Sequence, residues 1–190
     1  PIFIIVVAMG YTRQSIAIGL FLVALTHLKN KKILNFFIFI IFASFFHKTA
    51  IILIPLAFLS SISNRKLIFV VSIIVFLILF YLLMYDDIFG LSKHYVQEQV
   101  YESRGAILRS TLNLLPALIF LFHMKHYTEN IIEKNIYFLL SLASILIFPL
   151  VPFATTFFDR IGLYLIPLQF YVWGNLHKPL KLYNYEFLTN

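Results

Sequence analysis

Three short polar islands, each holding charged or titratable side chains, interrupt long apolar stretches of the chain. They are Gly10-Tyr11-Thr12-Arg13-Gln14, Phe46-His47-Lys48-Thr49-Ala50 and Phe158-Asp159-Arg160. An arginine between hydrocarbon segments is costly unless it meets water, a phosphate or a protein partner. Arginine can bind phosphate through two parallel hydrogen bonds, histidine can exchange protons near neutral pH, and a carboxylate can accept a proton. The islands therefore carry residue types suited to a phosphate-bearing substrate.

The first island stands where an apolar helix is expected to begin. A helix N-terminus presents free N–H groups and a positive dipole end, so Arg13 and Gln14 would form an anion cradle suited to a diphosphate. The alternative is a helix start that Thr12 caps and Gln14 reinforces, with Arg13 reaching toward lipid headgroups.

The other two islands allow both a chemical and a structural interpretation. His47 either exchanges protons or hydrogen-bonds to a neighbouring helix, the commoner fate of a lone intramembrane histidine. Asp159 and Arg160 either offset each other's charge, or Asp159 accepts a hydroxyl proton while Arg160 faces a phosphate. Tyr164 follows Arg160 by four residues, which predicts that both lie on one helix face.

Composition indicates that these islands are positioned by helices in lipid. The chain is 61% hydrophobic and 12% charged, with a mean hydropathy of +0.91, whereas soluble domains have about 25% charged residues. We predict an all-α, polytopic bundle of about seven or eight transmembrane segments in a single domain, 1–190. The predicted segments are 1–9, 14–28, 33–46, 49–63, 67–85, 106–123, 136–151 and 161–176. Because Pro1 begins mid-way through an apolar run, we expect a C-terminal part of a longer protein.

The net charge of +7 is interpreted by side of the membrane rather than as nucleic-acid binding. Lysine-rich islands at 30–32, 64–66, 125–134 and 177–181 are assigned to the cytoplasm. The assignment puts eight of the ten lysines inside. It puts Arg13, Arg104, Arg109 and Arg160, four of the five arginines, at the outer side with His47.

Two features of the topology stay open at this stage. Segments 33–46 and 49–63 are each short for a full span and form either a tight hairpin with His47 at its tip or one long helix bent near Pro55. The longest hydrophilic stretch, 86–105, is predicted as an extracytoplasmic loop with a possible interfacial helix.

The islands resemble, in order and spacing, the EpsG-like branch of Wzy-type polysaccharide polymerases. The matching elements are Gly10-x-x-Arg13-Gln14 with Ala17, Phe46-His47-x-Thr49-Ala50, Ser103-x-Gly105, and Asp159-Arg160-x-x-x-Tyr164. Thr49 stands where the family usually has serine, which keeps the hydroxyl. The resemblance covers nearly all 190 residues.

The resemblance implies an enzyme of the bacterial inner membrane that joins oligosaccharide repeat units carried on undecaprenyl diphosphate, at the outer face. No cofactor, nucleotide sugar or metal is implied, and a chain-length regulator is a possible partner. We expect Arg13, Arg104 and Arg160 to bind the diphosphates, and His47 or Asp159 to assist the acceptor hydroxyl. Gln14, Tyr164 and Thr49 complete the expected site.

Three alternatives compete with a polymerase. An O-antigen ligase uses similar chemistry on a different acceptor. A flippase needs a polar path across the midplane, whereas the unusual polar residues here concentrate near one face. A membrane acyltransferase requires a strong histidine centre, for which His47 alone is thin support.

Overall fold

A computed structural model describes residues 11–61, 105–153 and 155–179. Helices cover 91% of these residues, and no strand occurs among them, so the all-α prediction is confirmed. The chain divides into two compact units, Pro1–Glu102 and Ser103–Asn190.

The first unit begins with an antiparallel pair of helices. They are α1 (Thr12–Lys29) and α2 (Ile33–Phe46). In the turn between them Lys31 adopts a left-handed conformation with φ +61°. The rings of His27 and Phe39 stack with centroids 5.2 Å apart, which shows that the end of α1 runs beside the first half of α2.

The segment after α2 turns back along it. The helical path breaks at His47, whose backbone is extended (φ −148°, ψ 112°), and a 3-10 helix (Lys48–Leu53) leads into α3 (Ile54–Ser61). The rings of Phe37 in α2 and Phe58 in α3 are 5.3 Å apart. In one continuous helix these residues would be about 31 Å apart. The hairpin is therefore confirmed, and the single helix bent near Pro55 is wrong.

The second unit is built on a longer helical hairpin. Its elements are α4 (Ala106–Tyr127), α5 (Ile131–Ile147), a 3-10 helix (Phe148–Phe153), α6 (Thr155–Gly162), a 3-10 turn (Leu163–Leu165) and α7 (Ile166–Gly174). Asn130 caps α5, because its side-chain oxygen accepts hydrogen bonds from the backbone N–H groups of Ile132 and Glu133 at 3.0 and 3.3 Å.

The segment predicted as one span, 161–176, is broken into shorter pieces. Pro167 has no N–H group, so the carbonyl of Leu163 cannot accept the α-helical hydrogen bond from it. The N–H of Ile166 donates to that carbonyl instead, and the backbone tightens into a 3-10 turn between α6 and α7.

Among the described helices, two have the length and apolar composition to cross a membrane, Ala106–Tyr127 and Ile131–Phe153. They contain the predicted segments 106–123 and 136–151. The predicted number of seven or eight spans is not confirmed. Segments 1–9 and 67–85, and most of the predicted loop at 86–105, lie outside the described residues.

Candidate functional site

In the first unit, two of the predicted islands lie at the same end of the helices. Because α1 and α2 are antiparallel and joined by a short turn, the start of α1 and the end of α2 are neighbours. Arg13 at the start of α1 is exposed, whereas Gln14 is only 1% exposed. His47 at the end of α2 is half-buried. The structure thus brings Arg13, Gln14 and His47 to one end of this unit.

Small residues pack this end closely. Ala17 in α1, Ala43 in α2 and Ala50 in the 3-10 helix are all 0% exposed. Methyl side chains allow helix backbones to approach closely, which suits packing without large side chains between them. Ala17 and Ala50 belong to the sequence elements that carried the family resemblance, so these alanines have a packing role beside the polar islands.

His47 is oriented by a neighbour two residues along the chain. Its Nδ1 lies 2.5 Å from the Thr49 hydroxyl oxygen. Thr49 either donates to Nδ1 or accepts from it, depending on the histidine tautomer. In both cases the contact fixes the imidazole ring, so the Thr49 hydroxyl orients His47.

The alternative interpretation, in which Thr12 caps α1, is wrong. Tyr11, not Thr12, is the N-cap, and no side chain among the described residues caps this helix start. Thr12 is already helical, and its carbonyl accepts a hydrogen bond from the Ser15 hydroxyl at 2.7 Å.

In the second unit, Asp159 is bound by an arginine from a different helix. Arg109 Nε and Nη2 in α4 each donate to one carboxylate oxygen of Asp159 in α6, both at 2.6 Å. The side chains are 18% and 2% exposed, respectively. This bidentate geometry is the strong form of an arginine–carboxylate pair.

The remaining predicted site residues differ in exposure. Arg160, adjacent to Asp159, is exposed, while Tyr164 is only 1% exposed in the 3-10 turn that follows α6. Tyr164 therefore lies outside the α-helix that carries Arg160. Arg104 lies outside the described residues.

A second polar contact joins α4 to the broken segment. Asn113 Nδ2 donates to the carbonyl oxygen of Gly162 at 2.8 Å, and Asn113 Oδ1 accepts a hydrogen bond from Gln169 Nε2. Asn113 and Gln169 are 4% and 3% exposed. A buried amide is satisfied here by a backbone carbonyl and another amide, as buried polar groups require.

Charges of the second unit separate toward the two ends of α4. Arg109 lies in the first turns of this helix. Lys178 Nζ donates to the carbonyl oxygen of Tyr127 at its last residue, at 3.0 Å. These positions are separated by about 27 Å of helix. In this unit Arg109 and Lys178 therefore lie near opposite ends of α4, and the side of the membrane that each end faces stays a prediction.

The sequence did not predict the side-chain hydrogen bonds that join α4 to α6 and α7. Arg109 was counted among the outer arginines but was not assigned to the site, and Asn113 and Gln169 were not singled out. Arg109 and Asn113 are four residues apart within an otherwise apolar segment, so their shared helix face was the available signal.

The described helices place large apolar side chains on their surfaces and keep charged groups near helix ends or in buried pairs, which is typical of helical membrane proteins. Leu34, Phe45, Phe122 and Phe153 are each at least 74% exposed. The EpsG family model matches residues 1–185, and the chain belongs to that family, as the motifs predicted. The family and the apolar helices indicate a membrane protein of polysaccharide biosynthesis.

No curated protein and no solved structure gives a significant match to the chain. Among the described residues, no group of three or more histidine, cysteine, aspartate or glutamate side chains is arranged to hold a metal ion.

Proposed function

We propose that the protein polymerises oligosaccharide repeat units carried on undecaprenyl diphosphate, at the outer face of the bacterial cytoplasmic membrane. In this reaction an acceptor hydroxyl attacks the anomeric carbon of a lipid-linked donor chain. A glycosidic bond forms, the bond from that carbon to the diphosphate breaks, and the hydroxyl proton is released. The family match over residues 1–185 is the observation that carries the proposal.

The leaving diphosphate requires fixed cations, because negative charge develops on it as its bond to the sugar breaks. We assign this role to Arg13, Arg104 and Arg160. Arg13 and Arg160 are both exposed, which supports this role for them. Arginine suits the role because its planar guanidinium stays charged and can bind two phosphate oxygens at once.

The acceptor hydroxyl requires a proton acceptor, for which His47 and Asp159 are the candidates. His47 is half-buried, and the contact of its Nδ1 with Thr49 orients the ring. Both oxygens of Asp159 already accept hydrogen bonds from Arg109, so His47 is the stronger candidate. Gln14 and Tyr164 are almost fully buried, which favours positioning of neighbouring groups over direct contact with sugar.

The reaction is tested first by deleting the gene and separating the surface glycans by size. Glycans of a single repeat unit are expected, because repeat units would still be made and transported but not joined. Long chains that stay unattached would indicate a ligase, and repeat units retained inside the cell would indicate a flippase. Either outcome would contradict the polymerase.

The arginine role is tested by complementing that deletion with Arg13→Lys and Arg13→Ala in the full-length protein. Lysine keeps the charge but loses the bidentate fork, so shortened chains are expected for Arg13→Lys and single repeats for Arg13→Ala. Lys29→Ala, at the opposite end of α1, is the matched control for loss of one positive charge. Long chains from Arg13→Ala at normal abundance would refute the phosphate role.

A further inference from the structure

Asp159 is a buried charged side chain whose role is defined by its partner. Its side chain is 2% exposed, and each carboxylate oxygen accepts a hydrogen bond of 2.6 Å from Arg109. A substrate hydroxyl that gave its proton to this carboxylate would have to compete with the guanidinium for the same oxygens. This geometry favours Asp159 as a residue that holds α6 in place rather than as a proton acceptor.

Helix α6, which carries Asp159, is short, so its own backbone does little to fix its orientation. Helix α6 has eight residues and lies between two 3-10 segments, Phe148–Phe153 and Leu163–Leu165. Its orientation must therefore come from contacts with other elements. Asp159 and Arg160 are successive residues of α6, so their side chains project about 100° apart around its axis. Fixing Asp159 against α4 consequently fixes the direction in which Arg160 points.

Two contacts to the same face of α4 set both the position and the rotation of this segment. Arg109 and Asn113 are four residues apart and lie on one face of α4. Their acceptors are Asp159 and the carbonyl oxygen of Gly162, which are three residues apart. A single contact would allow α6 to turn about it, whereas two contacts in register do not.

We propose that Arg109 is a positioning residue for polymerisation: its ion pair with Asp159 holds Arg160 toward the diphosphate, and Asp159 is the anchor rather than the proton acceptor. The inference rests on the proposed function, because it takes Arg160 as a diphosphate ligand. Helix α4 thus shapes the diphosphate subsite indirectly, because it fixes the orientation of α6, which carries Arg160.

The test measures KM for a lipid-diphosphate-linked oligosaccharide donor, together with kcat, on purified full-length protein. Asp159→Asn and Arg109→Gln are each expected to raise KM about tenfold with a smaller change in kcat, since each breaks the ion pair that holds α6 against α4. The double variant Arg109→Gln/Asp159→Asn is expected to recover most of that loss. Two amides can still hydrogen-bond, and no uncompensated charge remains.

Variants that also carry Arg160→Ala test whether the ion pair acts through Arg160. Arg160→Ala is expected to raise KM by itself, and adding Asp159→Asn to it is expected to raise KM by less than about twofold further, because both changes remove the same contact. If Arg109→Gln does not yield monodisperse protein, Arg109→Lys replaces it, with an intermediate KM expected from the retained charge.

Three outcomes would overturn the inference. A loss of kcat of about 100-fold or more in Asp159→Asn that the double variant does not recover would make Asp159 the proton acceptor. Fully additive KM effects in the Arg160→Ala background would show that the pair does not act through Arg160. An unchanged KM in Arg160→Ala would remove the diphosphate role itself. Failure of the proposed function is distinct, because wild-type protein would then not elongate the donor at all.

Discussion

Arg109 and Asp159, fifty residues apart in the chain, join α4 to α6 through two hydrogen bonds of 2.6 Å. An aspartate followed directly by an arginine invites the interpretation that the two neutralise each other. On a helix they project about 100° apart, which leaves Asp159 open to a partner from elsewhere. Arg109 takes that place, and Arg160 remains exposed.

Breaking this pair should destabilise the second unit. Asp159→Ala would leave the Arg109 guanidinium, 18% exposed, without its carboxylate, at a cost of about 3 kcal/mol in the free energy of unfolding. Thermal unfolding of the full-length protein in detergent measures this loss. Lys125→Ala is the matched control in the same unit, and its unfolding temperature should stay close to the wild-type value because the residue is exposed. Equal unfolding temperatures for both variants would contradict a stabilising pair.

The contact between His47 and Thr49 should matter for catalysis rather than for folding. Thr49→Val keeps the shape of the side chain and removes the hydroxyl that lies 2.5 Å from Nδ1. A lost hydrogen bond of about 1 kcal/mol lowers the rate about fivefold. Removing His47 itself as an acid–base group lowers it about 10²–10⁴-fold. Thr49→Ser should retain the wild-type rate of repeat-unit joining in membranes.

Thr26→Val provides the control for this threonine. Its hydroxyl donates to the backbone of its own helix, at the Val23 carbonyl oxygen, 2.7 Å away. It should leave the joining rate unchanged. If Thr49→Val is as active as wild type, the histidine does not need its neighbour for orientation.

The hydrophobic pattern predicted most of the described helices closely. Segments 33–46 and 106–123 begin at the residues where α2 and α4 begin, because Asn30-Lys31-Lys32 and Gly105 directly precede these apolar runs. The lysines that flank segments 33–46 and 49–63 also predicted a hairpin with His47 at its tip. In these cases each element is decided by local composition.

What the pattern could not predict depends on contacts between distant residues. The break between α6 and α7 follows from Pro167 together with Asn113, which satisfies the Gly162 carbonyl from another helix. The partner of Asp159 was likewise hidden, since several arginines were equally plausible by sidedness. Sidedness gives the depth of a residue but not its lateral neighbour, so the pairing of Asp159 with Arg109 could not be predicted.

The buried amide contact at Asn113 should be sensitive to loss of its polar atoms. Asn113→Leu has a similar volume but leaves the Gly162 carbonyl and the Gln169 amide without that partner, at a cost of about 2–4 kcal/mol. Gly162→Ala should instead be tolerated, or stabilise by about 0.5 kcal/mol through helix propensity. Its added Cβ would lie 3.5 Å from Asn113 Nδ2, an ordinary contact. Thermal unfolding of both variants checks the contrast.

Gly19→Ala is the control for the glycine substitution, because a Cβ there meets no atom within 4 Å. It should stabilise α1 by a similar amount. Strong destabilisation by Gly162→Ala alone would mean that α6 and α4 approach more closely than the contact with Asn113 indicates.

A buried hydroxyl at the other end of α4 offers a substitution that should stabilise the protein. Tyr127 is 0% exposed, and its hydroxyl has no hydrogen-bond partner within the described part of the chain. Its ring packs against Phe120 with centroids 5.5 Å apart, so Tyr127→Phe keeps the packing and removes only the unsatisfied oxygen. The free energy of unfolding should rise by about 1 kcal/mol, since a buried polar group without a partner costs about 1–3 kcal/mol.

Tyr171→Phe separates this effect from a general preference for phenylalanine in the cluster. The Tyr171 hydroxyl donates to the Tyr127 carbonyl oxygen at 3.4 Å, so its removal should lower stability slightly or leave it unchanged. In thermal unfolding, Tyr127→Phe should be more stable than wild type, whereas Tyr171→Phe should not be. Repeat-unit joining should be unaffected by Tyr127→Phe, because Tyr127 lies about 27 Å along α4 from Arg109. Destabilisation by Tyr127→Phe would show that its hydroxyl has a partner in the folded protein.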